Sequence, residues 1–199
     1  MFLDRDGVLN DLWWEPDLGT VDSPLRPDQV RLKPGAAEAV KLLNERDVAC
    51  VVVSNQPVVA KGKTSWPLLD QVTHQIVMGL AHQGAVLNGV YYCVHHPDAV
   101  IDGLRVECPN RKPSPGLLRE AAGTLGLDLG SSWMIGDTST DVTAGRSAGC
   151  RTAWVGTRRC DACATWCGDG EPDLVARDLY EAVETILNWS DDVRPARQR

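Results

Sequence analysis

No apolar run in these 199 residues approaches the roughly 20 residues that cross a bilayer as a helix, which excludes a helical membrane protein. The N-terminus shows no basic segment followed by an apolar one, so nothing argues for secretion and a cytoplasmic home is expected. In such a reducing compartment the seven cysteines read as thiols or metal ligands, not disulfides. There is no Lys/Arg-rich tract and no interleaving of basic with aromatic residues, and the net charge is −7, so nucleic acid is not an expected partner. If the substrate is anionic, positive charge must be gathered locally. Repeats and low-complexity segments are also missing. What is left is an ordinary globular balance, 43% hydrophobic and 24% charged, in a chain long enough for one well-buried domain.

The chain opens MFLDRDGVLN, an apolar triplet followed by Asp4, Asp6 and Gly7. Side chains i and i+2 share a face at the end of a strand, so this pair reads either as a catalytic dyad or as a turn or cap. Residues 11–32 read as an irregular loop broken by Pro16, Gly19, Pro24 and Pro27. Pro34 and Gly35 open a helix to about Arg46, and Val48 to Val53 is a valine-rich strand buried on both faces. Ser54, Asn55 and Gln56 end that strand. A helix capped by Ser65 runs to about Gln83, Val86 to Tyr92 is a strand, and residues 93–111 form a loop rich in His, Cys and Pro. A helix from Pro115 to about Leu125, a strand ending in Gly136 and Asp137, a helix from Ser139 to Ala148 and a strand from Arg151 to Val155 follow. Leu174 and Val175 suggest a last short strand, Asp178 caps a final helix to about Asn188, and residues 190–199 are a polar tail.

Strands alternate with helices, so the expected fold is α/β: a doubly wound, mostly parallel sheet, one domain over residues 1–189, with no insertion long enough for a separate cap. In that fold the C-terminal ends of the strands converge on one crevice. Asp4 and Asp6, Ser54 and Asn55, Arg111 and Lys112, and Asp137 and Asp141 all fall there. Carboxylates, a hydroxyl and a lysine together make a hard oxygen site for magnesium beside a cationic pocket for phosphate, the outline of a phosphoryl-transfer site.

In order and spacing, DRDG, Ser54 after an apolar strand, a lysine and then GDTSTD resemble the haloacid dehalogenase superfamily of phosphatases. The resemblance implies that Asp4 is the nucleophile forming an aspartyl-phosphate and Asp6 the general acid and then base. It implies magnesium held by Asp4, the backbone carbonyl of Asp6 and Asp137, with Ser54 and Lys112 on the phosphoryl oxygens. Asn55 and Arg111 are the expected substrate contacts. Asp141 is left either bracing its helix, orienting Lys112 or touching metal.

The segments YYCVHHP and ECPNRKPSPGLL are similar to the zinc-containing histidinol-phosphatase and heptose bisphosphate phosphatase group, whose members carry Cys-x-His and Cys-x-Cys before Arg-Lys-Pro. By that pattern Cys93, His95 and Cys108 hold zinc, and Asn110, a poor ligand, stands in the fourth position. Cys160, Cys163 and Cys167 are idle thiols, a source of the missing ligand, or a second zinc site; His96 is a solvated neighbour. The chain departs from the group at DLWWEPDLGTVDSPLRPDQVR, at PVVAKG after Gln56 and at Thr138, where the heptose enzymes often place a lysine. Trp13 and Trp14 either stack on a sugar or seal the loop on the body. The expected activity is a magnesium-dependent phosphatase of a small phosphorylated metabolite, a heptose (bis)phosphate. The alternatives are histidinol phosphate, whose amine Glu15, Asp17 or Asp22 would face, and a non-catalytic binding protein on the same fold.

Overall fold

The structure is a computed structural model describing residues 1–15, 19–156 and 171–189. Six strands make the main sheet: β1 (Phe2–Leu3), β4 (Val51–Asn55), β5 (Gly89–Cys93), β6 (Trp133–Gly136), β7 (Arg151–Val155) and β8 (Leu174–Ala176). Their order is β5-β4-β1-β6-β7-β8 and every pairing is parallel. The first half of the chain therefore winds outward from β1 in one direction and the second half in the other, so that the order reverses between β1 and β6. Open sheets of this kind bind ligands in the crevice beyond that reversal.

Side-chain alternation along the strands divides the core into two layers. Leu3, Val52, Ile135 and Ala153 pack with α1 (Ala36–Asn44), α2 (Trp66–Ala81) and α5 (Leu179–Leu187). Phe2, Val51, Val53 and Met134 pack with α3 (Gly116–Leu125) and α4 (Ser139–Ala148) on the opposite face. Both faces of β4 are covered, as its valine run requires. Ser65 and Asp178 cap α2 and α5 through their side chains, accepting from the backbone N–H of Leu68 and Glu181.

Two strands start later than their apolar runs suggest. Val48 closes the end of α1 by donating to the Leu43 carbonyl, and Cys50 donates to the Asn88 side chain, so pairing begins only at Val51. Val86 is held by Asn44 at the end of α1, and β5 likewise begins at Gly89. A larger correction concerns residues 11–32. Where an irregular loop was expected, β2 (Trp13–Glu15) and β3 (Thr20–Asp22) form an antiparallel hairpin that pairs Trp14 with Val21, followed by a 3₁₀ turn at Pro27–Gln29. Pro24 and Pro27 lie outside both strands, so they bound the hairpin without breaking it. The polar tail 190–199 lies outside the described residues. Among the described residues, no helix is long and apolar enough to cross a membrane.

Leu118 is fully buried on α3 against the Phe2 and Val53 layer. Replacing it with alanine is expected to cost about 2–5 kcal/mol in urea unfolding, through lost burial and the cavity left behind; a loss below about 1 kcal/mol would show that the layer is not tightly packed there.

Candidate active site

Lys112 lies at the centre of the crevice, 2% exposed and reaching in from the segment before α3. Its Nζ lies 3.0 Å from Asp4 Oδ1 and 2.5 Å from Asp141 Oδ1, and donates to the Val53 carbonyl at 2.9 Å. Burial works against its charge, but Asp141 and then Asp4 outweigh that and hold the ammonium above its usual range. The position of this residue is fixed by Asn55, whose Nδ2 donates to the Lys112 carbonyl at 2.9 Å while its Oδ1 accepts from the Lys112 amide at 3.0 Å. Both ends of the Asn55 amide are thus spent on the Lys112 backbone. Asn55, expected at the substrate, clamps the lysine backbone in this structure.

Asp4 follows β1 directly, and its amide extends the pairing with β6 by donating to the Ile135 carbonyl. Burial pushes its carboxyl up to about 6, with Lys112 and a hydrogen bond from Ser54 pulling the other way and Asp141 and Asp6 adding to the rise. Asp141 serves as a brace. One oxygen takes Lys112, and the other accepts from the Thr138 amide at 3.1 Å and hydroxyl at 2.6 Å, closing the N-terminus of α4. Thr138, at the position where the resemblance led one to look for a lysine, is the cap of α4 here.

Asp6 has a different set of partners. Arg5 grips it with Nε on Oδ1 at 3.1 Å and Nη2 on Oδ2 at 2.9 Å. Asn10 donates to Oδ1 at 2.8 Å, and Gln56 and the Ser23 hydroxyl donate to Oδ2 at 2.6 and 2.9 Å. Burial alone would raise its pKa, but Arg5, Asn10 and Gln56 overcome it and hold the carboxyl below its ordinary value. Arg5 is itself fully buried, bonded to Gln56 Oε1 at 2.8 Å and the Tyr92 hydroxyl at 3.3 Å, with its guanidinium carbon 5.3 Å from the Tyr92 ring centroid. Gln56 also donates to Ser54 Oγ at 3.1 Å, joining the two halves of the site. This shell was missed in the sequence except for Gln56, noted as a polar strand end. Its remaining signal was the two-residue spacing of Ser54 and Gln56.

The donor set fits a hard divalent cation. Asp4, Asp137 and Asp141 bring carboxylate oxygens within 4.8 Å of one another, three negative charges against one lysine. The backbone makes room for this: Gly7 has φ +85° and a Cβ there would stand 2.1 Å from Asp137 Oδ2.

The second cluster lies in the loop after β5. Single donor atoms of Cys93, His95 and Cys108 lie within 4.8 Å of one another, with Cys93 Sγ 3.9 Å from His95 Nδ1. Two thiols and an imidazole suit zinc. Arg111 ties this loop to the crevice by donating from Nη1 to the His95 carbonyl at 3.1 Å. His96 stays outside the cluster, its Nδ1 accepting from the Asp98 amide. At the rim, Trp14 is 54% exposed and does not seal the hairpin onto the body, while Trp13 donates to Glu15. Asp22 pairs with Lys63. Asp17, Cys160, Cys163 and Cys167 lie outside the described residues.

Comparison with known proteins points one way. A family model described as HAD-hydrolase-like matches residues 109–182. The D-glycero-beta-D-manno-heptose-1,7-bisphosphate 7-phosphatase of Salmonella typhi is 33% identical over 98% of this chain and 93% of its own length. That of Rhodopseudomonas palustris is 35% identical over 74% of this chain and 78% of its own. Among solved structures, the D,D-heptose 1,7-bisphosphate phosphatase from B. bronchiseptica complexed with magnesium and phosphate superposes with a TM-score of 0.78 at 30% identity, covering 94% of this chain and 97% of that one.

Replacing Lys112 by methionine keeps the length of the side chain and strands Asp4 and Asp141 as buried carboxylates. The metal-free protein is expected to lose about 3–5 kcal/mol at pH 8, measured by denaturant unfolding, because one partner of a buried ionic cluster has gone. An unchanged midpoint would mean that the lysine does not balance these charges.

Proposed function

We propose that this chain, which belongs to the same HAD-like phosphatase family as the D-glycero-beta-D-manno-heptose-1,7-bisphosphate 7-phosphatases of Salmonella typhi and Rhodopseudomonas palustris, removes the 7-phosphate of a heptose 1,7-bisphosphate through a phosphoryl group carried on Asp4. The observation that carries the reading is the buried Asp4 carboxylate, held by Lys112 at the end of β1 beside Asp137, where the strand order reverses. It acts in a single domain covering residues 1–189, with the hairpin and the loop 93–111 at its mouth.

Asp4 attacks phosphorus, and the bond from phosphorus to the sugar oxygen breaks. Asp6 supplies the proton that the leaving oxygen needs. A water then attacks the aspartyl-phosphate, Asp6 takes its proton, the bond to Asp4 breaks, and phosphate leaves. Ser54 and Lys112 face the phosphoryl oxygens and offset their charge, and Arg111 meets the hydroxyl-rich or phosphorylated body of the sugar. As described, Asp6 carries five donors and is held ionised. Its acid step therefore requires that this shell loosen. Magnesium would be held by Asp4, Asp137 and the Asp6 carbonyl, and when bound it supplies positive charge that lets an anionic nucleophile approach a phosphate dianion. Zinc would be held by Cys93, His95 and Cys108, steadying the loop whose His95 carbonyl accepts from Arg111.

Glu15 and Asp22 already have partners in Trp13 and Lys63, which argues against the histidinol phosphate alternative.

Two measurements test the reading. With a panel of both heptose 1,7-bisphosphate anomers, simpler sugar phosphates and histidinol phosphate, one heptose anomer is expected to be hydrolysed fastest. Asp4→Asn is expected to fall below about a tenth of the wild-type rate with the fold intact. Flat activity over the panel would remove the substrate assignment, and an active Asp4→Asn would remove the nucleophile. The second measurement is calorimetric. With its carboxyl at about 6, Asp4 is protonated below that pH and ionised above it, so magnesium must displace a proton as the pH falls from 7 to 5. Affinity is expected to weaken over that interval with proton release; a flat profile would exclude a ligand carboxyl that titrates there.

A further inference from the structure

The Cys93, His95 and Cys108 cluster contains three donors, and structural zinc prefers four. Among the described residues no fourth cysteine, histidine or carboxylate joins it. Asn110 stands two residues after Cys108, where the resemblance places a fourth ligand, and its side chain is turned toward α3. Its Nδ2 donates to Glu120 Oε2 on α3 at 2.6 Å. Its Oδ1 rests against the start of α3, only 2.3 Å from where a Cβ on Gly116 would stand. The Gly116 amide donates to the Pro109 carbonyl at 3.0 Å, so the turn that carries Asn110 is fastened to the helix as well. His96 is committed to the Asp98 amide. His95 and Cys108 are only half-buried, so solvent reaches one side of the cluster, and the Arg111 guanidinium is bonded to the same loop at the His95 carbonyl.

We propose that zinc in this cluster has three protein ligands and a fourth coordination position open to solvent, which a small thiol can occupy as its thiolate beside Arg111. The inference rests on the zinc reading above and deepens it. In the exchange a sulfur–zinc bond forms, the zinc–water bond breaks, and the proton of the thiol passes to solvent. The Arg111 charge and the softness of the metal both favour an anionic sulfur ligand there. The site thus differs from a closed structural zinc in being exchangeable: it holds its metal less tightly and responds to thiols in the medium.

Cobalt(II) in place of zinc tests this without reference to phosphatase turnover, because its sulfur-to-metal charge-transfer band grows with the number of thiolates bound. The full chain is expected to take up cobalt with a two-thiolate band, and added 2-mercaptoethanol should shift the visible spectrum to saturation. Asn110→Cys is expected to show a three-thiolate band, to ignore the thiol, and to bind zinc about tenfold more tightly or better in competition with a chromophoric chelator. The triple variant Cys160→Ala, Cys163→Ala, Cys167→Ala should keep the wild-type spectrum. A wild-type band that already reports three thiolates, or a spectrum that ignores 2-mercaptoethanol, overturns the open position while leaving the zinc reading intact. Failure to bind cobalt, in a protein whose Cys108→Ser variant behaves the same, overturns both.

Discussion

A single buried ammonium, that of Lys112, governs the charge of the whole crevice. It touches Asp4, which ends the first strand, and Asp141, which begins α4, while accepting its own fixation from the Val53 carbonyl and from Asn55. Removing ions from water costs several kcal/mol apiece, and such a cluster persists only when each charge finds partners at close range. That requirement brings three separate stretches of sequence to one point. Asp4 and Asp141 flank the reversal between β1 and β6, and Lys112 arrives from beside β4 to sit between them. The three carboxylates still outnumber the lysine, which leaves the site tuned for a cation and a phosphoryl group together.

A second, separate balance surrounds Asp6. Arg5 neutralises it, and Gln56, Asn10 and Ser23 complete its shell. The two aspartates are neighbours in sequence but opposite in chemistry: burial raises the one and a guanidinium depresses the other. A nucleophile works ionised and a general acid protonated, so these are the directions of the substrate-free site, and the charge brought by cation and substrate must work against both. Gln56 connects the two sets of partners, since it donates to both Asp6 and Ser54.

The parallel sheet and its helices were legible because valine runs and helical stripes signal burial locally. Ser65 and Asp178 took the capping positions that their side chains suit. The order of Asp4, Ser54, Lys112 and Asp137 likewise survived translation into space, since strand ends in a doubly wound sheet must converge. What stayed hidden was set by non-local partners. The hairpin at Trp13–Glu15 and Thr20–Asp22 is built from three-residue strands too short to show a period. The clamp from Asn55 onto Lys112 and the Arg5 shell join residues tens of positions apart, and beyond the two-residue spacing of Ser54 and Gln56 nothing local announces them. Asn110 is turned aside by Glu120, a residue whose reach depends on where α3 starts.

The central claim is that Asp4 carries the phosphoryl group. Rapid acid quenching of the enzyme with heptose 1,7-bisphosphate and magnesium, followed by borohydride reduction and mass mapping of the N-terminal peptide, tests it most directly. The account predicts a phosphoryl adduct reduced at Asp4 during turnover and none in the absence of substrate. Steady hydrolysis with no trapped adduct, or with the adduct on any other residue, would contradict it.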